Sequence, residues 1–129
     1  MILTGVVLIP DGTINDNGRK YPLEILKNFD DCDIPLTYEE GKFPEKLTTS
    51  NLVGIARVRV DGNKLVGEAE ILDSRAEEIR KALKKYSLTF GCSGYGNMND
   101  HNEVTDYQMM SISLITDNSD KRIEPVILL

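Results

Sequence analysis

Apolar and polar positions alternate over several stretches of this chain, and such alternation predicts β-strands. The firmest case is residues 52–60, Leu-Val-Gly-Ile-Ala-Arg-Val-Arg-Val, answered by residues 64–72, Lys-Leu-Val-Gly-Glu-Ala-Glu-Ile-Leu. Between them Asp61-Gly62-Asn63 offers residues that tolerate positive φ, so the pair reads as a hairpin. In its second arm Val66, Glu68 and Glu70 share one face, and Leu65, Gly67, Ala69 and Ile71 the other. Arg57 and Arg59 are then expected to face Glu68 and Glu70 across the ladder. Residues 2–9 predict a buried first strand, closed by a Pro10-Asp11-Gly12 turn. Residues 103–116 predict a long strand with Met110, Ile112 and Leu114 on one face, and Met109, Ser111, Ser113 and Ile115 on the other. Residues 123–129 predict an apolar closing strand. Ser87–Gly96 begins by alternation, with Leu88, Phe90 and Cys92 opposite Ser87, Thr89 and Gly91. It then runs into Ser93-Gly94-Tyr95-Gly96, which predicts a strand end passing into a glycine-rich loop.

Two stretches carry a helical spacing instead. Ala76, Ile79, Leu83 and Tyr86 form one stripe over a helix from about Arg75 to Lys85. Ser74 and Glu77 are expected to cap it as a capping box, and Lys81, Lys84 and Lys85 suit its C-terminal end. A shorter helix is expected over 22–29, with Pro22 in its first turn and Leu23, Ile25, Leu26 and Phe29 as its apolar set. The acidic run Asp30, Asp31, Asp33 and the following Ile34-Pro35-Leu36-Thr37 read as a solvated helix end and a connection. Residues 41–50 read as a surface loop. The fold class predicted is mainly β: a small antiparallel β-barrel or curled sheet with two short peripheral helices, in one domain spanning 1–129.

Composition narrows the partners. Net charge is −6, from 21 acidic and 15 basic residues, so no nucleic acid is expected as the main ligand. The longest apolar runs fall well short of a spanning segment, so no membrane partner is expected. The apolar start lacks a basic leader and reads as a strand instead of a signal peptide. Cys32 and Cys92 lie far apart with no CxxC pair, which predicts buried, reduced thiols and an intracellular setting.

Few residues carry candidate chemistry. Ser93 sits among glycines at a strand end, where a nucleophile and backbone oxyanion donors have room, and His101 is the one imidazole. His101 lies in the turn-rich run 97–102, which predicts an exposed hairpin tip. Thr13, Asn15, Asn17, Gly18 and Glu24 fall on EF-hand loop positions one, three, five, six and twelve. Thr13 in place of Asp, a single carboxylate and Pro22 within the run argue against calcium, and no metal or other cofactor is expected.

The order of elements and several short motifs resemble the prohead maturation proteases of tailed phages. Asn17-Gly18-Arg19-Lys20-Tyr21-Pro22 before a short helix is similar to that family's opening. Pro35-Leu36-Thr37, then Val53-Gly54 and a strand pair, resembles its next segment. A helix, a serine–glycine strand and the closing Ile112-Ser113-Leu114-Ile115 complete a likeness that covers nearly the whole chain. The resemblance implies the β-barrel fold of herpesvirus assembly proteases, and cleavage of scaffold and capsid proteins inside the immature head.

The chain departs from that family at its working positions. Where the family carries a histidine after the Pro-Leu segment, this chain reads Thr37-Tyr38-Glu39-Glu40-Gly41, and Glu40 is the match. The third-partner position falls on Ser111, with Asp106 upstream, and the nucleophile on Ser93, or on Cys92 or Gly91 in a shifted register. A serine without a neutral base keeps its proton at neutral pH, and a carboxylate is a poor substitute for imidazole. The leading expectation is therefore a non-catalytic structural component of a phage head. It would be a decoration or minor capsid protein that binds capsid or scaffold protein, in the virion head or the host cytoplasm during assembly, with a homo-oligomer as one form it could take. An active divergent serine protease using Ser93 or Cys92 with His101 or Glu40 is the alternative. An unrelated small β-barrel protein-binding module is the third reading.

Overall fold

The computed structural model describes residues 1–10, 22–44, 46–101 and 103–129, without the side chains of Leu23 and Tyr95. Asp11 and Gly12 of the expected turn, the Asn17–Tyr21 motif and all of the calcium-like run except its end lie outside them. Glu24, that end, is exposed.

The chain is mainly β. Among the described residues the strands are β1 (Ile2–Leu8), β2 (Cys32–Thr37), β3 (Leu52–Asp61), β4 (Lys64–Ile71), β5 (Thr89–Met98), β6 (Val104–Ile115) and β7 (Ile127–Leu128). They form one curled sheet in the order β5-β6-β2-β3-β4-β1-β7. All pairs are antiparallel except β2 with β6, which run parallel through Leu36↔Ile112 and Thr37↔Ser113. The curl brings β1 back towards β5. A Cβ on Gly5 would lie 3.2 Å from both Phe90 and Val126, and the Val126 N–H donates to the Leu88 carbonyl. Phe90, Leu3, Leu36, Leu65, Ile112 and Leu114 fill the concave side of this half-barrel.

The β3–β4 hairpin follows its sequence pattern, with Leu65, Gly67, Ala69 and Ile71 buried and Glu68 and Glu70 exposed. Only Gly62 in its turn takes positive φ, at 63°. Arg57 does lie opposite Glu68, but Arg59 is opposite Val66, not Glu70. The Arg57 guanidinium turns instead to Asp33 (3.1 Å) and Asp31 (3.2 Å) on the neighbouring strand side. Two carboxylates at that spacing attract it more than one across the ladder.

Other elements differ from their expected form. The stretch read as a connection after Asp30 is β2, held at the middle of the sheet. Asp31, at φ 62°, turns the chain into it, and the Asp30 carboxylate accepts the Val60 N–H. Pro35 is tolerated because β6 reaches β2 only at Leu36 and Thr37. The helix expected over 22–29 is a 3-10 helix, Leu23–Phe29. Its tighter period stacks Leu26 and Phe29 on one buried edge, with Phe29 edge-on to Tyr107 at 6.0 Å. The other helix, α1 (Ala76–Lys85), buries Ile79 and Ala82 and packs Ala76, Leu83 and Tyr86 against the core. No side-chain cap bond starts it. The chain enters α1 through a 3-10 turn, Asp73–Arg75, so Ser74 is already inside a turn and the expected capping box does not form.

In β6 the expected face assignment fails at Met109 and Met110. Ser93 pairs with Ser111 and Gly94 with Met109, so Met110 is a bulge. Beyond it the alternation shifts phase: Met109 joins the core with Ile112 and Leu114, while Met110 is 49% exposed. The closing strand shrinks to Ile127–Leu128, against the predicted 123–129. Cys32 and Cys92 form no disulfide, but both are half-buried, not enclosed as expected. Among the described residues no helix is long and apolar enough to cross a membrane.

Candidate functional site

β5 continues past Ser93 to Met98, so Ser93 stands inside a strand and not at the mouth of a loop. The glycines that suggested a loop serve the ladder instead. A Cβ on Gly94 would collide with the Gln108 carbonyl, and one on Gly96 with the Asp106 carbonyl. Only glycine lets β6 approach this closely.

Ser93 is half-buried and faces Ser111, itself 3% exposed, across the ladder. Two residues further along, Gly91 pairs with Ser113. The Ser113 hydroxyl lies 2.6 Å from the Thr37 hydroxyl, with both residues fully buried. A cleft of about 310 Å³ opens beside Ser93, lined by Leu8, Phe43, Cys92, Asp117, Asn118 and Ile123 among others.

The loop after β6 forms one wall of this cleft. The Asn118 side-chain amide donates to the Thr89 hydroxyl (3.1 Å) and the Phe90 carbonyl (2.9 Å), which pins the loop to the start of β5. Asp117 accepts from Lys121 Nζ at 2.7 Å, and that hydrogen bond and charge hold its carboxyl below the ordinary range. Asp120 pairs with Arg122 at 2.6 Å, and Arg122 also donates to the Ile9 carbonyl. Each carboxylate of the wall thus has its own cation. Asp117, with its carboxyl held down in this way, is a weak proton acceptor.

Glu40 lies elsewhere. Its Oε1 accepts from Lys85 Nζ and Tyr86 Oη, each at 3.1 Å, at the C-terminal end of α1. The Lys85 hydrogen bond, then that from Tyr86, lowers its pKa, and Glu40 raises that of Lys85 in turn. It lines a separate, open cavity of about 580 Å³ with Tyr38, Glu77 and Lys81. Burial, followed by the charge of Glu40, pushes the Tyr38 hydroxyl up.

His101 is exposed at the turn between β5 and β6, where its backbone N–H donates to Asn99 Oδ1 at 2.8 Å. Asp106 is spent on the same ribbon, accepting from the Asn97 N–H and side-chain amide. A Cβ on Gly91 would press into Ile115 Cδ1 at 2.5 Å.

Ser93, Cys92 and Ser111 are therefore neighbours, while Glu40 and His101 occupy two other parts of the molecule. Among the described residues no imidazole or carboxylate hydrogen-bonds the Ser93 hydroxyl. Sequence reasoning missed Asn118 and the Thr37–Ser113 pair. Nothing local marks either: Thr37 and Ser113 are 76 positions apart and meet only through the parallel pairing. No protein family matches the chain, and no match was found among curated proteins or solved structures.

Proposed function

We propose that the protein is a non-catalytic, protein-binding domain: a structural component of a tailed-phage head, of the decoration or minor capsid type, that engages capsid or scaffold protein. The observation that carries the non-catalytic part is the separation of Ser93 from Glu40 and His101. A serine hydroxyl needs a positioned base within hydrogen-bond reach, and paired carboxylates do not replace it. The phage-head setting rests on the sequence resemblance in Asn17–Pro22, Pro35–Thr37 and Ile112–Ile115.

One observation favours the alternative, an active divergent prohead protease: the cleft beside Ser93 has room for a side chain of a substrate. The two readings part in the particle. A structural component remains in purified mature virions in defined copy number, by quantitative mass spectrometry of isolated heads. Its presence in immature heads and loss from mature ones would contradict the proposal, because a maturation protease is cleared.

A further inference from the structure

Among the described residues nothing covers the convex face of β2, β3, β4, β1 and β7. In an antiparallel sheet with one face in water, that face is usually polar. Here Ile2, Val6, Pro35, Ile55, Val66 and Ile127 all point outward, with Ile55 53% and Ile127 63% exposed. A groove of about 370 Å³ runs across it, floored by Thr4, Val6 and Val66. Arg57 and Arg59 of β3 form one wall, and Glu124, Pro125 and Ile127 the other. β4 and β1 lie between the walls, so these stand about 14 Å apart, three strand spacings. That width admits one extended chain lying on the sheet.

Charge decides what kind of chain. The face carries Asp31, Asp33, Asp61, Glu68, Glu70 and Glu124 against Arg57, Arg59 and Lys64, a balance of −3. Arg57 is already matched by Asp31 and Asp33. Glu68, Glu70 and Glu124 carry no side-chain ion pair or hydrogen bond among the described residues. Two copies of such a face would bring like charges together, which works against self-association.

We propose that this groove docks an extended, basic segment of a partner protein. The segment's apolar side chains would rest on Val6, Val66 and Ile127, and its lysines or arginines would meet Glu68, Glu70 and Glu124. The proposal rests on the protein-binding reading above and gives that reading a surface and a partner chemistry.

The test is amide-shift mapping on the ¹⁵N-labelled protein with an eight-residue peptide alternating valine and lysine, against its valine–glutamate counterpart. The lysine peptide should shift the amides of Val6, Arg59, Val66, Glu68 and Ile127 saturably, and less so as salt rises. The glutamate peptide should leave them unmoved. Glu68→Gln and Glu124→Gln should each weaken binding about two- to fivefold, the worth of an exposed ion pair. The double variant Glu68→Lys, Glu124→Lys should prefer the glutamate peptide. Equal response to both peptides, no response, or self-association that protects this face would each overturn the proposal. So would a peptide seated beside Ser93, an outcome that leaves the non-catalytic reading to be judged on the reactivity of Ser93 alone.

Discussion

The buried hydroxyl pair of Thr37 and Ser113 offers a sharp perturbation, because it sits at the parallel junction on which the whole strand order turns. Both residues are 0% exposed and their oxygens lie 2.6 Å apart. The other Thr37 contact, to the Ile112 carbonyl at 3.5 Å, is too long to replace it. Thr37→Val keeps the shape of the side chain and strands the Ser113 hydroxyl in the core. Leaving one buried partner unsatisfied costs about 1–3 kcal/mol, whereas replacing both by apolar groups is close to neutral. Thr37→Val and Ser113→Ala should each therefore cost about 1–2 kcal/mol. In a domain of this size that lowers Tm by roughly 4 °C per kcal/mol. The double variant should cost no more than either single, an interaction energy of about 1 kcal/mol or more. Urea denaturation of the four proteins measures it. Additive costs, or a neutral Thr37→Val, would refute the pairing of β2 with β6 in this register.

Two further outcomes follow from the geometry of single residues. Gly94→Ala should destabilise the protein by about 1–3 kcal/mol through overpacking against the Gln108 carbonyl, seen as a lowered urea midpoint, while a stable variant would argue against a ladder running through Ser93 to Met98. Glu40 has its pKa lowered below 4.5, first by its hydrogen bond from Lys85, so its contribution is present above pH 4.5 and fades as pH falls through the lowered value. Melts of the protein and of Glu40→Gln should thus differ at pH 7 and converge on acidification below 4.5; a difference that widens in acid would reverse the sign.

How much of this was legible in the sequence depended on whether local forces decided the outcome. The β3–β4 hairpin needs only its own alternation and a turn glycine, and α1 only its apolar stripe, so both could be read directly. β2 could not, because its three neighbouring aspartates and Pro35 imitate a loop. Its strand character comes from β3 and β6 on either side; Asp31 and Asp33 are explained by Arg57 on the next strand, and Asp30 by the Val60 N–H it accepts. The Met110 bulge is set by where β5 and β6 must stay in register, which no period in β6 encodes. The candidate site shows the same division. The composition of Ser93-Gly94-Tyr95-Gly96 pointed to close backbone approach, and the approach is there, but it is of β6 to β5 and not of a loop to a substrate.

The reactivity of Ser93 tests the central claim most directly. Native protein should be incubated with a fluorophosphonate probe and digested, and the Ser93 peptide read by mass spectrometry. With Glu40 bound to Lys85 and Tyr86, and His101 out on the β5–β6 turn, Ser93 should remain unlabelled. Stoichiometric labelling of Ser93 that disappears in His101→Ala would contradict the account and make the protein an active serine hydrolase.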